Sequence, residues 1–155
     1  MLDTRKLPAN SVILHQVNCL GKANQGVAMQ IARDFPGWFQ DYRSYTLWFQ
    51  DGHFNEIMGT FHRFEPKPGL IICSAFAQEG ISKMIVNTDY EAWDKIFRKV
   101  ERQTKYANEK TCKNWTIHIP ASLGINPGGG DLETMEELIK QHFEDSPVEL
   151  WIHER

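Results

Sequence analysis

The stretch HQVNCLGKANQGVAMQIARDFP, His15 to Pro36, decides the fold. Just before and into it, Ser11 to Val17 is short, rich in β-branched residues and bounded by turn residues, the pattern of a buried strand. After it, Gly26 to Phe35 carries Val27, Ile31 and Phe35 at helical spacing, and Pro36-Gly37 breaks the helix. Strand and helix are joined by a loop rich in glycine and asparagine. Such a loop leaves backbone N–H groups free at a helix N-terminus, where hydrogen bonding and the helix dipole both favour a phosphate.

Outward from this unit the pattern alternates. Trp38 to about Trp48 reads as a second, aromatic-rich helix, and Asp51-Gly52-His53 as a turn. Gly59 to Phe64 and Leu70 to Phe76 read as an antiparallel strand pair around Pro66-Lys67-Pro68-Gly69. Ala77 to Asn87 is a loop. Thr88-x-x-Glu91 has the spacing of a capping box and opens a long helix, Tyr90 to about Asn108. Trp115 to Ile119 is a strand, and a second glycine loop follows, from Ala121 to Gly130. Asp131 is the expected N-cap of a helix reaching Phe143, and Pro147 to Ile152 closes as a strand. The order β-α-α-β-β-α-β-α-β predicts one domain over residues 1–155 with a three-layer α/β/α architecture and a mixed central sheet.

At 155 residues, with 41% hydrophobic and 24% charged, the chain can bury a sizeable core. A net charge of −3 leaves no electrostatic footprint for nucleic acid. Cys19, Cys73 and Cys112 form no C-x-x-C pair, so neither zinc nor a redox dithiol is expected. No clustered ligand set calls for a metal, and no cofactor is expected. No apolar run approaches the ~20 residues of a membrane span. The opening residues have neither signal-peptide nor transit-peptide character. The odd cysteine count suits a reducing compartment, and the expected location is the cytoplasm.

Three segments then carry a resemblance: Ile13 to Cys19 running into Gly26-Val27-Ala28-x-x-Ile31; Ala75-Phe76-Ala77-Gln78-Glu79-Gly80 followed by Thr88 to Ala92; and Ile119 to Gly124 running to Gly130-Asp131. In this order, each at a strand–loop–helix junction, they resemble the macro domain family, which binds ADP-ribose. Within it the chain looks most like the branch of yeast-type ADP-ribose-1''-phosphate phosphatases and terminal ADP-ribose glycohydrolases. The H-x-x-N-C-x-G run and the G-V-A-x-Q-I-A helix are nearest the phosphatase.

The resemblance implies an α/β/α fold and a ligand: ADP-ribose, ADP-ribose-1''-phosphate or an ADP-ribosylated protein. It assigns Asn18, Gly21, Asn24, Gln25, Gly26 and Val27 to the distal ribose and its phosphate. Ser122, Leu123, Gly124, Ile125, Asn126 and Gly128 go to the diphosphate. Phe76 and Tyr90 are candidate pocket walls. Gln78 and Gly128 stand where the glycohydrolases carry a lysine and an aspartate, so that mechanism lacks its groups here. The catalytic candidates for phosphate release are His15, Asn18 and Glu79. Asp3 is the residue in place to read adenine. Simpler readings stand beside these: His15 as a hydrogen-bonded strand histidine, Glu79 as a solvated loop charge, Asn18 as a turn residue, Phe76 and Tyr90 as core aromatics. The rival functions are an ADP-ribose reader without turnover and a hydrolase acting on ester-linked ADP-ribose.

Overall fold

The structure, a computed structural model, describes residues 2–23, 26–50, 54–78, 87–125 and 128–154, with the backbone alone at 50, 54 and 55. Along the chain run β1 (Ser11–Asn18), α1 (Gly26–Asp34), α2 (Pro36–Gln50), α3 (Phe54–Ile57), β2 (Phe61–Lys67), β3 (Leu70–Gln78), α4 (Tyr90–Thr111), β4 (Thr116–Pro120), α5 (Leu132–Phe143) and β5 (Leu150–His153). The strands form one mixed five-stranded sheet in the order β2-β3-β1-β4-β5. β1 pairs in parallel with β3 and β4, β4 in parallel with β5, and β2 antiparallel with β3.

The alternation along β1 builds the layers. Val12 and Leu14 enter a core with Trp93, Ile96, Phe97 and Val100 of α4 and Met135 and Phe143 of α5. Ile13 and Val17 enter the opposite core, with Ile31 of α1 and Trp38 and Tyr42 of α2. The period of two in a strand thus sends successive residues to two different helical layers. β3 is buried along its whole length, as a central strand covered on both faces must be.

The short helix α3 was not expected, and β2, β3 and β5 have shifted ends. Three differences at helix ends have a clear physical reason. α2 begins at Pro36 itself, because proline pre-sets the helical φ at a first position and its missing N–H costs nothing there. α4 runs to Thr111, where Cys112 closes it in the left-handed region at φ 55°. The N-cap of α4 is Asp89, whose carboxylate accepts from the Ala92 amide at 3.1 Å; Thr88 is not the cap. Its hydroxyl is instead donated to the Gly124 carbonyl at 2.6 Å. Asp131 does cap α5, accepting from the Thr134 amide at 3.0 Å. Asp131→Ala is therefore expected to lower stability by about 1 kcal/mol in urea unfolding, with the fold retained.

Candidate functional site

Because β1, β3 and β4 are parallel, the loops that follow them leave from one edge of the sheet. β1 hands the chain to helices on one face, while β3 and β4 hand it to α4 and α5 on the other. Adjacent strands β1 and β4 therefore form a topological switch point, the place where open α/β sheets leave a crevice for ligands. The two glycine loops follow these two strands.

The first loop is shaped by Asn18. Its Oδ1 accepts from the amides of Leu20 at 2.9 Å and Lys22 at 3.3 Å, and its Nδ2 donates to the Lys22 carbonyl at 3.0 Å. Tyr42 of α2 donates its hydroxyl to the Asn18 carbonyl at 2.7 Å. Burial pushes the Tyr42 phenol pKa above its ordinary value, so it stays a donor. Gly21, at φ +72°, lies so close to α2 that a Cβ there would stand 2.5 Å from Thr46 Oγ1. Gly26 and Val27 open α1, whose first-turn amides have no intrahelical partner.

The last loop is held by a polar network that sequence reasoning missed. Trp93 donates its indole N–H to Gln16 Oε1 at 2.7 Å. Gln16 Nε2 donates to Gln78 Oε1 at 3.0 Å and to Thr88 Oγ1 at 3.1 Å. Thr88 donates its hydroxyl to the Gly124 carbonyl, while the Asn87 and Thr88 amides donate to the Gly128 carbonyl at 2.8 and 3.1 Å. Tyr90 is a further brace rather than a pocket wall alone: its hydroxyl accepts from the Asp131 amide at 2.6 Å. One signal was available: a glutamine within a largely apolar strand, whose amide demands partners once it leaves water.

Within the loop, amides of Leu123, Ile125, Gly129 and Gly130 are spent on backbone carbonyls. Those of Ser122, Gly124 and Gly128 donate to no group among the described residues, and Gly124 and Gly128 are buried. Buried amides left unspent are rare, and a concavity that exposes several is an anion site.

The remaining candidates fall differently. His15 is 1% exposed, in the α1/α2 layer, with its ring edge-on to Trp38 at 5.3 Å. Ser74 Oγ lies 2.7 Å from His15 Nε2 and accepts from the Trp38 indole at 2.9 Å. Among the described residues, His15 Nδ1 is buried without a partner. Burial, with a smaller push from His62, lowers its pKa to about 3 and keeps the ring neutral. Phe76 is wholly buried and stacked on Tyr42 and Tyr45. Asp3 is committed to a local turn, accepting from the Arg5 amide at 3.0 Å. Ser122 and Ile125 are half-buried and Leu123 is buried. Asn24, Gln25, Glu79 and Asn126 lie outside the described residues.

No family model matches the chain, and no curated protein matches it. Solved structures do. A protein of unknown function from Bacteroides thetaiotaomicron superposes with a TM-score of 0.81 at 20% identity, over 98% of this chain and 92% of that one. The macrodomain of Mycobacterium tuberculosis DarG gives 0.73 at 18% identity, over 98% and 93%. The chain has the macrodomain fold. Thermosipho africanus DarTG, solved in complex with ADP-ribose, contains the same fold, with a TM-score of 0.69 at 13% identity over 95% of this chain and 38% of that one. In this fold, then, the loop after β1 is held by Asn18 and Tyr42 and the loop after β4 by the Gln16–Thr88 clamp. Among the described residues no helix is long and apolar enough to cross a membrane.

Proposed function

We propose that the chain binds ADP-ribose, or a derivative substituted on its distal ribose, in the crevice between the loops after β1 and β4. The observation that carries this reading is the clamped last loop, in which the amides of Ser122, Gly124 and Gly128 donate to no group among the described residues. A diphosphate satisfies such amides without any cation, which suits an acidic protein. The macrodomain fold and the ADP-ribose held by the Thermosipho africanus protein support the same ligand. In this reading Asn18 keeps the first loop in shape and has one amide proton left for a ribose hydroxyl.

The finer form of the proposal is hydrolysis of ADP-ribose-1''-phosphate, favoured by the H-x-x-N-C-x-G run that resembles the phosphatase branch. His15 is sealed and neutral, which argues against it as the proton donor. Glu79 is the residue we assign to that task. Removal of ester-linked ADP-ribose from protein would use the same pocket.

Calorimetric titration with ADP-ribose, with AMP as control, tests the reading. Micromolar affinity, about −8 kcal/mol, selective over AMP is the expected result. Asn18→Ala is expected to weaken it about tenfold or more, since the loop loses its internal braces as well as a donor. No binding at millimolar ligand overturns the proposal. Phosphate release from ADP-ribose-1''-phosphate that stops in Glu79→Gln supports the enzyme form; binding without release makes the protein a reader.

A further inference from the structure

A second concavity adjoins the first loop on the α2 side. It is an open groove of about 670 Å³ between Leu20–Ala23 and one face of α2, where Phe39, Arg43 and Leu47 recur at helical spacing. The volume falls in the range of ordinary binding pockets, ~300–1,000 Å³. Its lining is apolar at Leu20, Ala23, Phe39 and Leu47 and carries two cations, Lys22 and Arg43, with no acidic side chain among the described residues. Neither cation has an ion-pair partner among the described residues. Leu47, 52% exposed, completes the apolar floor beside the two cations.

The geometry points to a docking groove for an acidic peptide segment that also carries apolar side chains. Charge complementarity selects the sign of the partner: the chain is acidic overall at −3, yet this groove holds cations alone. The apolar floor selects its amphipathic character. A polynucleotide is disfavoured, because two cations neutralise too few phosphates against a net acidic protein. Position gives the groove a use. Leu20–Ala23 belong to the loop whose shape Asn18 sets, so the occupant of the groove abuts the proposed ligand crevice. Gly21 brings α2 into direct contact with that loop, with Arg43 Cγ 3.7 Å from where its Cβ would stand. An ADP-ribosylated protein would place its ADP-ribose in the crevice and the acidic sequence flanking the modified side chain along α2. This rests on the ADP-ribose reading for its purpose but not for the existence of the groove.

The test uses the full chain, isotope-labelled for NMR, and two probes: a short peptide alternating aspartate with leucine, and its lysine-for-aspartate counterpart. The acidic peptide is expected to shift the amide signals of Leu20 to Ala23 and Phe39 to Leu47, and the basic one to leave them unchanged. Arg43→Glu is expected to weaken the acidic peptide at least tenfold while ADP-ribose affinity stays the same. Leu47→Ser provides a second variant at an exposed position, with the same expected direction. The same peptide carrying ADP-ribose on a central glutamate should bind wild type more tightly than either part alone. Absence of shifts at the groove, equal binding of the basic peptide, or preference for a thymidine oligonucleotide overturns the groove. Loss of ADP-ribose binding in the wild type, with the peptide shifts intact, overturns the ligand reading instead.

Discussion

Gly128→Ala is expected to abolish measurable ADP-ribose binding and to cost about 3 kcal/mol of stability, the sum of left-handed backbone strain and an overpacked site. Gly128 sits at φ +103°, a conformation that side-chain-bearing residues rarely adopt. Its Cβ would stand 2.4 Å from Thr88 Oγ1, 2.6 Å from Gln16 Nε2 and 3.0 Å from the Gly124 carbonyl. These are the atoms that clamp the last loop, so relief of the clash must come from breaking the clamp. Binding should then suffer more than stability does, because the unspent amides lose their common orientation. Gly37→Ala is the control. Gly37 lies in α2 at ordinary φ, with the Phe64 ring 3.5 Å from its would-be Cβ, so the variant should bind as wild type does and be as stable or more so, by up to about 1 kcal/mol. Thr88→Ala added to Gly128→Ala should recover part of the stability and none of the binding, since it removes both the obstacle and the brace. Urea unfolding and calorimetry read the two effects separately. Wild-type affinity in Gly128→Ala would mean that the last loop does not hold the ligand.

What could be read in the sequence follows the range of the interactions. β1, the first loop and α1 were legible because their signals are local: an apolar run, turn residues, a helical period and a proline stop. The antiparallel β2–β3 pair was legible for the same reason. Capping at α4 was misread because Thr88 and Asp89 are adjacent and both able to cap. A carbonyl thirty-six residues away, at Gly124, captures the threonine hydroxyl and leaves the aspartate to the helix. The Gln16 clamp was illegible in its partners, since Gln78, Thr88 and Trp93 reach it only through the fold. The motif position of His15 was legible, but its environment was not. Period two sends it into the α1/α2 layer, and only the packing of Trp38 and Ser74 shows that the layer seals it.

That seal predicts how stability depends on pH. Folded, His15 keeps a pKa of about 3; unfolded, it returns to the ordinary value of about 6.5. Between those values the unfolded chain binds a proton that the folded chain refuses. Stability from this group is therefore full above pH 6.5 and falls as pH drops, with a limiting slope of roughly 1.4 kcal/mol per pH unit, until about pH 3. His118 acts in the same sense. Burial and its neighbour His153, 2.8 Å away across the two rings, lower its pKa to about 4. Urea unfolding should thus show about 2 kcal/mol lost from His15 alone between pH 7 and pH 5. His15→Asn should be less stable at pH 7, through lost packing against Trp38, yet flatter in its pH profile by about that amount. Parallel profiles for the two proteins would show that His15 takes up its proton in the folded state. The functional consequence separates a sealed histidine from a proton donor. ADP-ribose affinity between pH 6 and 8 should not follow a histidine titration, and any phosphate release should keep its pH profile in His15→Asn once the variant is studied below its unfolding transition. A limb of the rate profile that vanishes with His15 would return it to the reaction, because a group that only fills the core can change how much protein is folded but not the pKa at which the folded protein works.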